Sequence, residues 1–118
     1  MNLELLKEAL ESHPETIEFN DVIALIAELY TYTPFAFDNG LGDDIVKNAA
    51  GTNEGSCKIF AFADDQNLTE EETPFLFGRY YTQEVLQQPE SDNHANIRSF
   101  LKYGWEGMTF YGPVLVKK

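Results

Sequence analysis

Residues 30–39, YTYTPFAFDN, decide whether this chain is a helical bundle or something mixed. The run is rich in aromatic and β-branched residues, and Phe35 and Phe37 stand two apart, the spacing of one face of a strand. Pro34 lacks an N–H, so a strand here lies at an edge or begins near the proline. A second run of the same kind, MTFYGPVLV at Met108–Val116, is interrupted by Gly112-Pro113. Pairing of the two into a small antiparallel ribbon would bring the end of the chain back to its first third.

The other regular segments read as helices. Leu3, Leu6, Ala9 and Leu10 recur at helical spacing against Glu4, Lys7, Glu8 and Glu11, and His13-Pro14 stops that helix. A second helix is expected from about Asn20, with Asn20 as cap, Asp21 at the positive end of the dipole and an apolar stripe of Ile23, Ile26, Ala27 and Tyr30 that Val22, Leu25 and Leu29 widen. Asn39-Gly40 and Gly42 signal a turn and an open loop up to Ala50. The segment after Asn53 through Ala63 alternates at Cys57, Ile59, Ala61 and Ala63, but several capping residues precede it and it lacks internal Val and Thr. A helix is therefore preferred over a strand. Thr69-Glu-Glu-Glu72 forms a capping-box pattern ahead of a helix ending before Pro89, and Asp92 or Asn93 is expected to cap a last helix closed by Gly104. The expected fold is α+β: one domain over residues 1–118 with about five helices and a small antiparallel ribbon.

Composition narrows the possible partners. Twenty acidic against 8 basic residues give a formal charge of −12, which repels nucleic-acid phosphates and anionic membranes but leaves basic or neutral protein surfaces open. One cysteine cannot make an internal disulfide, so a reducing compartment is expected. MNLELLKEALES lacks the basic lead-in and apolar run of a signal peptide, and no stretch approaches the ~20 apolar residues of a membrane span. Asp65, Asn67 and Thr69 imitate a calcium loop, but Glu70 stands where that loop needs Gly and Leu76 where it needs Glu. No metal and no cofactor is expected.

The stretches YTYTPFAFDNG, AGTNEGSCKIFAFA, FGRYYTQEVL and HANIRSFLKYGWEGMTF resemble the HopJ family of type III secretion effectors, over roughly Tyr30 to Leu115. GTNEGSCKIF is the most specific part. The resemblance brings no catalytic residue or cofactor with it. An effector would be secreted into host cells and act on a host protein. The spread of the family among bacteria that do not infect plants implies an intracellular, cytoplasmic role instead.

Two functional readings are open. The first is a non-enzymatic module that presents an acidic surface to a protein partner. The second is a small enzyme or anionic-ligand-binding protein with a site near Cys57, His94 and Arg98. In that reading Cys57, His94 and Asn96 supply a thiolate, a proton acceptor and an orienting amide. Helix N–H groups around Thr52, Asn53, Glu54 and Ser56, with Lys58, Arg79 or Arg98, hold an anion. Against this, an unpaired Cys57 reads first as a small buried hydrophobe, and the polar residues before it read first as helix caps. Arg79 and Arg98 read as partners of the abundant carboxylates, and Trp105 as a core anchor.

Overall fold

A computed structural model describes residues 1–118. Four α-helices, α1 (Leu3–Ser12), α2 (Phe19–Leu29), α3 (Glu54–Asp65) and α4 (Ala95–Tyr103), combine with five three-residue strands. The strands are β1 (Tyr30–Tyr32), β2 (Phe37–Asn39), β3 (Val46–Asn48), β4 (Met108–Phe110) and β5 (Leu115–Lys117). A fifth helical region, Thr73–Val85, runs from a 3₁₀ turn into a π-helix.

The α+β expectation and the predicted pairing both hold, with one refinement. Tyr30–Asn39 and Met108–Val116 pair antiparallel but as two separate ladders, because each run is broken at its proline. Tyr30 lies opposite Lys117 in one ladder, and Phe37 lies opposite Phe110 in the other. The second sheet gains β3 on the far side of β2, where the sequence suggests only loop. A three-residue strand leaves too short a pattern for alternation to register.

The helices differ from expectation mostly at their starts. Helix α2 begins at Phe19, and its cap position is Glu18 with no side-chain bond, so Asn20 is not the cap. Neither Asp92 nor Asn93 caps α4; His94 occupies the cap position in a left-handed conformation, φ 52° and ψ 49°. Thr69 and Glu72 do make the reciprocal capping-box bonds, both at 3.0 Å. The expected single helix to Pro89 does not form beyond this box, because Gly78, at φ 59° and ψ −131°, breaks the segment into the 3₁₀ and π pieces. In the π piece the Leu86 N–H reaches back five residues to Tyr81 O at 2.9 Å.

Twenty buried apolar residues form one core, with Leu6 and Leu10 from α1, Val22, Leu25 and Ile26 from α2, and Ile59, Phe60 and Phe62 from α3 at its centre. Phe60 packs against both Phe77 and Phe100, ring centroids 5.3 and 5.0 Å apart, which ties α3 to the 3₁₀ turn and to α4. Trp105 anchors the end of α4 as expected: its ring meets Phe100 edge-on at 4.9 Å and its Nε1 donates to Leu68 O at 3.0 Å. No helix is long and apolar enough to cross a membrane.

Candidate functional site

Helices α3 and α4 begin side by side on one cleft of about 480 Å³. Asn53, Gly55 and Ser56 border it from α3, His94 and Asn96 from α4, and Phe19, Phe77 and Tyr80 form its apolar wall. A smaller groove of about 220 Å³, bordered by Glu18, Arg79 and Glu84, continues from the same wall. Gly55 makes the wall possible, since a Cβ there would sit 2.9 Å from the Phe19 ring.

The two helix starts share an unusual construction. Asn53 and His94 both adopt left-handed backbone conformations, and neither caps its helix with a side chain. The first backbone N–H groups of α3 and α4 therefore keep no partner in the protein, as helix geometry leaves them unless a cap intervenes. Asn53 spends its amide elsewhere: its Nδ2 donates to Asn48 Oδ1 at 2.8 Å.

That bond belongs to a buried network of asparagines. Asn48 and Asn96 exchange amide bonds, Asn96 Nδ2 to Asn48 Oδ1 at 2.8 Å and Asn48 Nδ2 to Asn96 Oδ1 at 3.1 Å. Asn39 Nδ2 donates to both Asn96 O, at 2.7 Å, and Asn96 Oδ1, at 3.1 Å. Asn39 and Asn48 are 0% and 3% exposed, so these bonds offset the cost of burying polar side chains. The network joins β2 and β3 to the starts of both helices.

At the rim, His94 Nε2 meets Glu84 Oε1 at 2.8 Å, and its ring lies 5.2 Å from that of Tyr80. Arg98 does not reach the cleft. Its guanidinium binds Asn93 O and Asn93 Oδ1, each at 2.6 Å, and the carbonyls of Gln88, at 3.0 Å, and Glu84, at 3.3 Å. It thus closes the segment between the π-helix and α4.

The remaining residues singled out from sequence lie elsewhere. Cys57 is 1% exposed within the core, its Sγ 3.9 Å from Phe35 O; burial, with the neighbouring Glu54 carboxylate, pushes its thiol up to about 11. Lys58 Nζ stands 4.5 Å over the Tyr32 ring, and the Thr52 hydroxyl donates to Ala49 O at 2.7 Å. Glu54 is exposed, and Arg79 meets Glu18 at 3.4 Å on the surface. The cleft therefore collects Asn53, Ser56, His94 and Asn96 from the sequence-derived set and leaves out Thr52, Glu54, Cys57, Lys58, Arg79 and Arg98. Asn39, Asn48, Tyr80 and Glu84 were missed. The only signal for the asparagines was their place beside strand-like residues, which reads equally well as turn.

The sequence matches the HopJ type III effector protein family over residues 3–115. The chain belongs to the HopJ family. It is also similar to the crystal structure of the unknown-function protein VPA0580, with a TM-score of 0.92 and 45% sequence identity. The match covers 100% of this chain and 95% of the other. No curated protein matches the sequence. The match takes in the cleft, the asparagine network and both helix starts, which all fall within residues 3–115 of this HopJ chain.

Proposed function

We propose that this HopJ domain is a non-enzymatic interaction module whose acidic surface engages a basic face of a protein partner. In a chain delivered by a type III system that partner is a host protein; in a chain retained in the bacterial cytoplasm it is an endogenous one. The observation that carries the reading is the state of the carboxylates. Of 20 acidic residues, only Glu18, Asp44 and Asp65 pair with a lysine or arginine, and Glu84 meets the His94 ring. The other 16 form no ion pair, among them Glu4, Glu8 and Glu11 on the exposed side of α1. Complementary charge of this kind governs association rate and partner choice, and it is screened by salt. The test is affinity capture at low ionic strength with the native protein and with a variant carrying Glu4→Gln, Glu8→Gln and Glu11→Gln. The reading expects a reproducible partner that elutes as salt rises and binds the variant more weakly. Failure to recover any reproducible partner removes its support.

A second reading is favoured by the cleft. Two helix starts without side-chain caps border one recess with a histidine on its rim, an arrangement suited to a small ligand carrying a carboxylate or phosphate. Titration of inorganic phosphate followed by amide NMR tests it. Saturable shifts at Gly55, Ser56 and Asn96 are expected, and their absence removes this reading without touching the first.

A further inference from the structure

We propose that a second cleft, where the 3₁₀ turn and the π-helix meet the end of α4, receives an arginine of the protein partner together with an apolar residue beside it. The inference rests on the first reading above and gives that acidic surface a specific docking point. The cleft has a volume of about 510 Å³ and shares no bordering residue with the one at the helix starts. Its apolar side is made by Phe75 and Tyr81, whose rings meet edge-on at 5.1 Å, and by Leu101, which is 45% exposed on α4. Apolar surface grouped in this way around a recess, with charge at its rim, has the make-up of a protein contact.

The charged side is Glu70 and Glu71. Of the run Glu70–Glu72, Glu72 serves the fold through its capping-box bond from Thr69 N at 3.0 Å, whereas Glu70 and Glu71 are exposed and form no ion pair. Glu70 is nonetheless held in place: its carboxylate lies against Gly104, the residue that ends α4 at φ 63°, so closely that a Cβ there would collide with it. The final carbonyls of a helix carry partial negative charge, so this carboxylate meets charge of its own sign. Lys102, the basic residue of the last turn, does not relieve it. Its Nζ binds Asp44 Oδ2 at 2.9 Å, and the Tyr103 hydroxyl donates to the same oxygen at 2.7 Å. Negative charge is therefore gathered beside apolar surface with no cation of this chain to answer it. An arginine does so best, because its planar fork matches a carboxylate and stacks on aromatic rings. A free cation would leave Leu101 and the rings uncovered, so the occupant is a protein segment with an apolar residue next to the arginine.

The probe is a blocked peptide of glycine, arginine, leucine and glycine, titrated against the full-length protein and followed by amide NMR. Saturable shifts are expected at Glu71, Tyr81, Leu101 and Gly104, and citrulline in place of the arginine should abolish them. The double variant Glu70→Gln, Glu71→Gln should bind roughly five-fold more weakly, the scale of exposed ion pairs. Leu101→Ser leaves every charge in place and should weaken binding as well, which separates docking in the cleft from general attraction to an acidic protein. All three residues are exposed, and unchanged amide signals of Thr69 and Glu72 verify that the variants keep the fold. Absence of shifts, shifts confined to α1, or binding that both variants leave unchanged overturns the cleft. Shifts that appear on concentrating the protein without peptide would place a second copy there and overturn the partner arginine. In each of these cases the first reading stands or falls separately, on the salt-dependent capture and the Glu4→Gln, Glu8→Gln, Glu11→Gln variant.

Discussion

The amides of Asn48 and Asn96, 48 residues apart in sequence, face each other in a reciprocal pair and so fix the last strand residue of β3 to the first turn of α4. Asn96→Ala removes this pair and the Asn39 Nδ2 bond to Asn96 Oδ1, leaving buried amide groups under-satisfied. We expect a loss of about 2–3 kcal/mol in urea unfolding. Asn53→Ala removes one bond from an exposed residue but also places alanine in the left-handed conformation that asparagine tolerates, and is expected to cost about 1–2 kcal/mol.

Gly78 is the hinge between the 3₁₀ turn and the π-helix. Its φ of 59° is joined to close packing, because a Cβ would lie 2.8 Å from Phe19 N and 2.9 Å from Ile17 O. Both obstacles are backbone and cannot swing away. Gly78→Ala is expected to destabilise by about 2 kcal/mol or more, and to loosen Phe19 at the cleft wall. Thermal unfolding reads the first effect and amide exchange near Phe19 the second.

Cys57 is expected to be slow to alkylate in the native protein. With its thiol raised to about 11, the thiolate fraction at pH 8 is roughly 100-fold smaller than for a thiol at its ordinary value. The sign comes from burial: the fold favours the neutral thiol, so the stability it supplies is whole below the unfolded value and falls as pH rises toward the folded one. Iodoacetamide labelling between pH 7 and pH 10, native against urea-unfolded, measures the difference. Equal rates in the two states would contradict the buried placement.

Arg98 closes the 86–94 segment through backbone carbonyls and Asn93, not through a carboxylate. Arg98→Lys cannot reproduce the forked geometry and should resemble Arg98→Ala. Both are expected to speed amide exchange across Leu86–Asn93 several-fold, with little change in the core.

Much of this fold was legible because its signals were local. The split of Tyr30–Asn39 and Met108–Val116 into paired strands stems from their composition and from the prolines that interrupt them. The burial of Cys57 and the anchoring of Trp105 reflect what those side chains ordinarily do. The cleft was only half legible. Asn53, Ser56 and His94 stood out as polar residues at helix starts, but the sequence gives no measure of which starts meet. Asn39 and Asn48 look like turn residues until β3 is seen beside β2, and the partner of His94 is Glu84 on an irregular π-helix that no 3.6-residue pattern announces.

The central claim, that this HopJ domain engages a basic protein partner through its unpaired carboxylates, is tested most directly by the dissociation constant of the captured partner along a salt series. The account predicts steady weakening from low to physiological ionic strength, with a shallower dependence in the Glu4→Gln, Glu8→Gln, Glu11→Gln variant. An affinity that salt and the three substitutions leave unchanged would contradict it.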